Sequence, residues 1–411
     1  MANRTIESVI RQVSDAFPVL LLTGMRQVGK SWVLQRLADA NRRYITLDDM
    51  KARELAKHDP ARFIQENPPP VTIDEVQYAT ELFPYIKIWC DMHPGSGHFW
   101  LTGSQKFRLM EGVRESLAGR VAILNLLGFS QRETAGNAFT GKPFLPSVEL
   151  PLAPPYPPPV PTSPDVFTQI WLGAFPRLAA HEGPVPPLVR KVFYDSYVQT
   201  YIERDVRDFY HIENALAFHT FLIAVAARTG QLLNYSDLAR DAHIDMRTAK
   251  LWLDILRRSC LVELLYPYGS NTVSRLVKTP KVFFLDTGLA AHLCSWDSPD
   301  SLRNGAQSGH LFETHVFCEI LKSYWHNGES PEIFFYRDTD QNEIDFVIER
   351  NRTLFPVEVK KTANPRSDDC KTFRKLATFK KEVGTGAVVC LYEKCSSFPN
   401  RDAVMVPVWT I

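Results

Sequence analysis

Four residues at fixed spacing, Gly24, Gly29, Lys30 and Ser31, are the first in this 411-residue chain whose types specify a chemistry. The run Gly24-Met25-Arg26-Gln27-Val28-Gly29-Lys30-Ser31 fits the pattern G-x-x-x-x-G-K-[ST]. Its glycines let backbone N–H groups converge on phosphate oxygens, and a helix N-terminus behind them adds a favourable dipole. Lys30 would bridge β- and γ-phosphates, and the Ser31 hydroxyl would ligate Mg²⁺. The alternative is a chance glycine turn before a helix. A second acidic motif follows in Val71-Thr72-Ile73-Asp74-Glu75. There Asp74 would hold Mg²⁺ through its water shell, and Glu75 would polarise an attacking water. The alternative for this pair is a helix cap. Ser104 or Gln105, at the polar end of Phe99-Trp100-Leu101-Thr102-Gly103-Ser104-Gln105, could sense the γ-phosphate; the bland reading is a turn without ligand contact. Arg120 could reach the γ-phosphate of a neighbouring subunit, or simply close a helix C-terminus.

These groups require a scaffold that brings strand ends together. Pro18–Thr23 reads as a buried parallel strand and Trp32–Ala38 as the helix after the glycine loop. Arg43–Asp49 is a second strand, Lys51–Gln65 one helical stretch, and Val71–Gln77, Phe99–Gln105 and Val121–Leu127 are further strands. An apolar strand ending in Asp74 places that acid at the carboxyl edge of the sheet, where parallel α/β folds bind ligands.

The order of glycine loop, Ile-Asp-Glu-Val-Gln, Leu-Thr-Gly-Ser and Ser-Leu-Ala-Gly-Arg resembles a widespread prokaryotic family of AAA-type ATPases with a C-terminal domain of poorly defined function. The resemblance spans nearly the whole chain. It implies an AAA+ core over residues 1–140, an acidic strand beside a polar sensor strand, ATP and Mg²⁺ as cofactors, Glu75 as base, a sensor near Ser104 and Arg120 as finger. It also implies a homo-oligomeric ring, with a hexamer as the candidate. It supplies no substrate.

Residues 141–165 are proline-dense, which favours a stiff spacer over a proline-recognition ligand. Residues 166–295 read as a helical and winged-helix domain. Phe193–Tyr210 has helical periodicity, with Tyr194, Tyr197, Tyr201 and Phe209 on one side and Arg204 and Arg207 on another. Ser236–Ala242 is a helix with Ser236 as cap, and a second helix capped by Asp245 follows. A strand at Leu261–Tyr266, a Gly269-Ser270-Asn271 turn and a further strand complete a winged helix-turn-helix. Its second helix would present Arg247, Lys250 and Arg257 to DNA, or serve as packing between subunits. Lys278 and Lys281 could add phosphate contacts.

From 300 to 411, Glu313 sits on an amphipathic helix, and a hairpin turning at Asn351-Arg352 would bring Asp345 beside Glu358. Two carboxylates can share a Mg²⁺, with Lys360 orienting water and Glu313 completing the shell. The alternative is a solvated Glu/Lys hairpin. The pattern resembles the PD-(D/E)xK nuclease core, with Ile344 where proline is usual, and implies a restriction-endonuclease-like α/β fold. Taken together, the expectation is an α/β chain in which an ATP hydrolase acts on DNA. The alternative is a nucleotide-controlled switch or protein-remodelling assembly with an inactive C-terminal scaffold.

Composition sets bounds. A net charge of +1 requires any nucleic-acid surface to be a local patch. Seven cysteines without a C-x-x-C pair argue against zinc and disulfides. With no signal-like N-terminus and no long apolar run, the chain is expected to be cytoplasmic, with no membrane partner.

Overall fold

The computed structural model describes residues 2–104, 113, 115–147, 161–202, 214–269, 279–399 and 402–411. Several expectations fall on positions outside the described residues: Gln105, most of the proline-dense run, Arg204, Arg207, Phe209, the Ser270-Asn271 turn and Lys278, together with the side chain of Tyr201. The chain divides into two units. One is Met1–Phe129 with Arg258–Cys260 and Trp325–Glu329; the other is Ser130–Arg257 with Leu261–Tyr324 and Ser330–Ile411. Among the described residues no helix is long and apolar enough to cross a membrane.

In the first unit, α1 (Ile6–Ala16), β1 (Val19–Thr23), α2 (Lys30–Leu37), β2 (Arg43–Thr46), α3 (Met50–His58), α4 (Pro60–Glu66), β3 (Val71–Asp74), α5 (Leu82–Met92), β4 (Phe99–Gly103) and β5 (Val121–Asn125) alternate along the chain. The strands form one sheet in the order β2-β3-β4-β1-β5, and every pairing is parallel. β1, β3 and β4 are buried along their whole length, which is why they read as unbroken apolar runs rather than alternating ones. Ile45, Ile73, Leu101, Leu21 and Ile123 share one register row across the sheet and pack into a single core. The helix expected over Lys51–Gln65 is two. Pro60 has no N–H to continue α3, so Asp59 closes that helix and caps α4 by accepting from the Arg62 N–H.

The second unit begins with a short helix, Gln131–Thr134, followed by helices at Ser163–Leu172 and Pro187–Tyr197. The latter passes into a π-helical turn, Val198–Ile202, and the rest of the helical stretch expected up to Tyr210 lies outside the described residues. Tyr194 and Tyr197 are core residues, with their rings against Phe175 and Phe193. Then come a helix Ala215–Ala226, β6 (Gln231–Leu232), helices Tyr235–Asp241 and Met246–Arg258, β7 (Val262–Leu265) and β8 (Lys281–Phe284). The three strands pair antiparallel in the order β6-β8-β7. Asn234, not Ser236, caps the first of the two short helices, because its side chain reaches the N–H groups of Ser236 and Asp237. Asp245 caps the second through Arg247 and Thr248.

The remainder is helix Ser308–Trp325 and a sheet of β9 (Glu332–Arg337), β10 (Glu343–Arg350), β11 (Thr353–Val359), β12 (Glu382–Val383), β13 (Gly386–Cys390), β14 (Ser396–Ser397) and β15 (Ala403–Pro407). β9, β10 and β11 are antiparallel neighbours, whereas β11, β13 and β15 run parallel. The β10–β11 hairpin turns through Asn351 and Arg352, both at positive φ. The helix is not amphipathic as expected; nearly all of it is buried, including Glu313, His315, Glu319 and Lys322.

Candidate functional site

The glycine loop leaves the carboxyl end of β1 and enters α2. Gly24 has φ +149°, and a Cβ there would lie 2.0 Å from the Leu126 carbonyl oxygen, so only glycine fits. Gly29 precedes α2 at φ +95°. Lys30 is buried, and its Nζ donates to the carbonyls of Gly24 at 3.0 Å and Met25 at 2.8 Å. Burial lowers the Lys30 pKa, while Glu75 and Asp74 act in the opposite direction.

Asp74 is the hub of the site. Its Oδ1 accepts from the Ser31 hydroxyl at 2.8 Å and from the Thr102 hydroxyl, and its Oδ2 accepts from the Tyr44 hydroxyl at 2.7 Å. Burial and the bond to Asp74 together raise the Tyr44 pKa. Glu75 sits in the left-handed region at φ 56°, directly after the strand. Its Oε2 meets the Gln77 amide and, at 3.4 Å, the Ser104 hydroxyl. The Glu75 N–H donates to the Thr102 hydroxyl at 3.3 Å, so Ser31, Asp74, Thr102, Glu75 and Ser104 form one hydrogen-bonded cluster on the edge where the loop lies.

Reading motifs one at a time missed Thr102 and Tyr44. The register signal was there: β3 lies between β2 and β4, and Ile73 pairs with Leu101, which puts Thr102 beside Asp74. The loop, ammonium, hydroxyl and carboxylate suit a nucleoside triphosphate with Mg²⁺, since hard oxygen donors and a phosphate-binding cradle converge. Arg120 stands elsewhere. It precedes β5 at the opposite edge of the sheet, with Nε 2.6 Å from Asp91 Oδ1.

In the second unit, Arg247 and Lys250 are exposed on Met246–Arg258, with Lys250 Nζ 5.5 Å from the Tyr235 ring centre. Arg257 is exposed as well and lies 3.4 Å from Glu263, whereas Arg247 and Lys250 stand nearer the start of the helix.

The hairpin does bring Asp345 next to Glu358, since Phe346 pairs with Val357, and Asp345 Oδ2 accepts from the Val359 N–H at 2.8 Å. Glu358 Oε1 pairs with Lys360 at 2.6 Å. Glu313, Asp345 and Glu358 do not, however, surround an open centre. Lys281, expected at the surface, is buried there, with Nζ 2.9 Å from Glu313, 2.5 Å from Glu343 and 3.9 Å from Asp345. Burial opposes the charge on Lys281, but Glu313, Asp345 and Glu343 outweigh it and hold its pKa above the ordinary value. Among the described residues no three His, Cys, Asp or Glu side chains form a metal-holding group. Between Glu313 and Asp345, where Mg²⁺ was expected, stands the Lys281 ammonium. Burial raises Glu313 and Glu358 to about 8, with Asp345 adding to both.

A parallel sheet in this strand order, a glycine loop after β1, an acidic pair after β3 and a polar tip on β4 define a P-loop ATPase core. Residues 16–135 match the family model described as AAA domain, which supports a P-loop ATPase in this part of the chain. Residues 163–300 and 308–411 match two further models, each described as a domain of unknown function (DUF8612 and DUF4143). Uncharacterized proteins of Mycobacterium bovis and Mycobacterium tuberculosis are each 26% identical over 408 residues, covering 98% of this chain and 82% of theirs. Among solved structures, the Walker-type ATPase of Pyrococcus abyssi aligns with TM-score 0.44 and 16% identity over 70% of this chain and 94% of that one. A RuvB variant of Thermotoga maritima aligns with TM-score 0.28 and 14% identity over 63% and 85%.

Proposed function

We propose that the chain is a Mg²⁺-dependent ATP hydrolase that acts on DNA. The ATPase reading rests on the Ser31–Asp74–Glu75–Ser104 cluster at the glycine loop. On nucleotide binding, Lys30 would leave the Gly24 and Met25 carbonyls for β- and γ-phosphate oxygens. Ser31 and Asp74 would hold the metal, Asp74 through water. Mg²⁺ would withdraw charge from the phosphates. Glu75 orients the attacking water and takes its proton, and Ser104 links Glu75 to the end of β4, where the γ-phosphate is read out. Arg120 acts on the site of a neighbouring copy in a homo-oligomeric ring.

The DNA reading is carried by one observation: Arg247 and Lys250 stand exposed near the start of a helix that follows a short capped helix and leads into a three-stranded antiparallel sheet. That arrangement supports a winged helix whose second helix enters a groove. A nucleotide-controlled switch with an inactive C-terminal module is the second reading, favoured by Lys281 among the C-terminal acids. Fluorescence anisotropy with duplex, single-stranded and branched DNA over a salt series separates the two. DNA action predicts a binding constant whose logarithm falls linearly with log salt, and Arg247→Glu with Lys250→Glu reduces the slope by about 2. No binding above a nonspecific level at low salt removes DNA and leaves the switch.

A further inference from the structure

The sequence pattern of the C-terminal module calls for a divalent ion between Glu313, Asp345 and Glu358, yet a lysine from another part of the chain holds two of these acids. Lys281 is the first residue of β8 and only 3% exposed. An ammonium taken out of water costs several kcal/mol unless its donors are matched by charge and geometry. Here they are matched. Glu313 comes from helix Ser308–Trp325, Glu343 and Asp345 come from β10, and the Phe335 ring lies 5.6 Å from Nζ.

The fourth acid, Glu358, is served by Lys360, and its Oε2 is buried without a hydrogen-bond partner. Mg²⁺ needs near-octahedral oxygens at about 2.0–2.1 Å and gives up its own water reluctantly. It cannot share Glu313 and Asp345 with an ammonium already seated between them, because two cations a few ångströms apart in a water-poor site repel strongly.

We propose that Lys281 is the resident cation of this acidic cluster, standing where the divalent ion of a PD-(D/E)xK-like site would sit. The C-terminal module then binds no metal and breaks no phosphodiester bond. The cluster instead works as a clasp that ties β8 to β10 and to helix Ser308–Trp325. The three-stranded sheet and the C-terminal sheet, already joined by backbone hydrogen bonds between Phe335 and the Tyr266–Tyr268 segment, thereby gain a charged contact as well. This inference does not depend on the ATPase site or on DNA binding.

Mn²⁺ binding to the nucleotide-free full chain, followed by loss of the free-ion electron paramagnetic resonance signal, tests it. Wild type and Asp345→Asn are expected to bind the same amount of Mn²⁺, since the cluster takes none. Lys281→Met keeps the apolar stem and removes the charge; it is expected to gain one Mn²⁺ per chain, and adding Asp345→Asn removes that gain. Lys281→Arg keeps the wild-type behaviour. A wild-type Mn²⁺ site that Asp345→Asn abolishes overturns the proposal, as does a folded Lys281→Met that gains no site. Should Lys281→Met fail to fold by circular dichroism, the comparison of wild type with Asp345→Asn still decides.

Discussion

At the scale of single residues, the ATPase site is defined by what each group does before nucleotide arrives. Lys30 cannot leave its ammonium bare in a buried position, so it borrows two loop carbonyls, and phosphate oxygens are better partners than either. Lys30→Ala is therefore expected to abolish binding of a fluorescent ATP analogue. Glu75 contributes differently. Its Oε2 meets Gln77 and Ser104, and Glu75→Gln keeps the size of the side chain, so it should bind the analogue about as well as wild type. Phosphate release should fall by about 10²–10⁴-fold, the usual contribution of a general base. If Glu75→Gln turns over at the wild-type rate, the base lies elsewhere and Glu75 is a positioning residue for Ser104.

At the scale of elements, helix Ser308–Trp325 gives the second unit a buried polar seam. Gln131 reaches His315 Nε2 at 3.0 Å and donates its backbone N–H to Glu319, which also pairs with buried Lys322. Burial drives His315 down to about 4, with Glu319 opposing and Lys322 adding to the shift. A histidine depressed in the fold takes up its proton only in the unfolded chain. Stability is thus constant above about 6.5 and is lost as pH falls toward 4, by about 3 kcal/mol in total. Urea unfolding at pH 7.5, 5.5 and 4.5 should show this loss. His315→Gln, which keeps an acceptor for Gln131, should flatten it; equal pH slopes for the two proteins would refute the assignment. This seam was not legible in the sequence, because a helix whose polar residues pair with other elements reads as having a wet face. The same blindness hid Lys281, whose partners lie 32 to 64 positions further on. The glycine loop, the acid at the end of β3 and the β10–β11 hairpin were legible because strand, turn and helix signals there are local. Thr102 and Tyr44 sit between these cases, since they follow from Asp74 only once strand order is known.

At the scale of the whole molecule, the position of Arg120 determines whether a single copy can complete its own site. β1 and β5 run parallel with Val19 opposite Val121 and Thr23 opposite Asn125, and the glycine loop begins after Thr23. Arg120 lies before β5, so a five-residue strand, roughly 16 Å at 3.3 Å per residue, separates it from the loop edge. An arginine side chain does not cover that distance, so a phosphate at this chain's own loop lies beyond the reach of Arg120. In the single chain it is held by Asp91 at a partly exposed pair of the kind that contributes little and exchanges readily. Arg120→Ala should therefore bind ATP with affinity close to wild type and lose turnover on the order of 10³-fold. Co-assembly with Lys30→Ala gives the decisive result. Lys30→Ala chains bind no nucleotide but supply Arg120, and Arg120→Ala chains bind nucleotide but supply no finger, so the mixture should hydrolyse ATP where neither does alone. Wild-type turnover by Arg120→Ala, or a defect that mixing leaves unrepaired, would make Arg120 a residue of the fold and the ATPase a self-sufficient monomer or a ring with another finger.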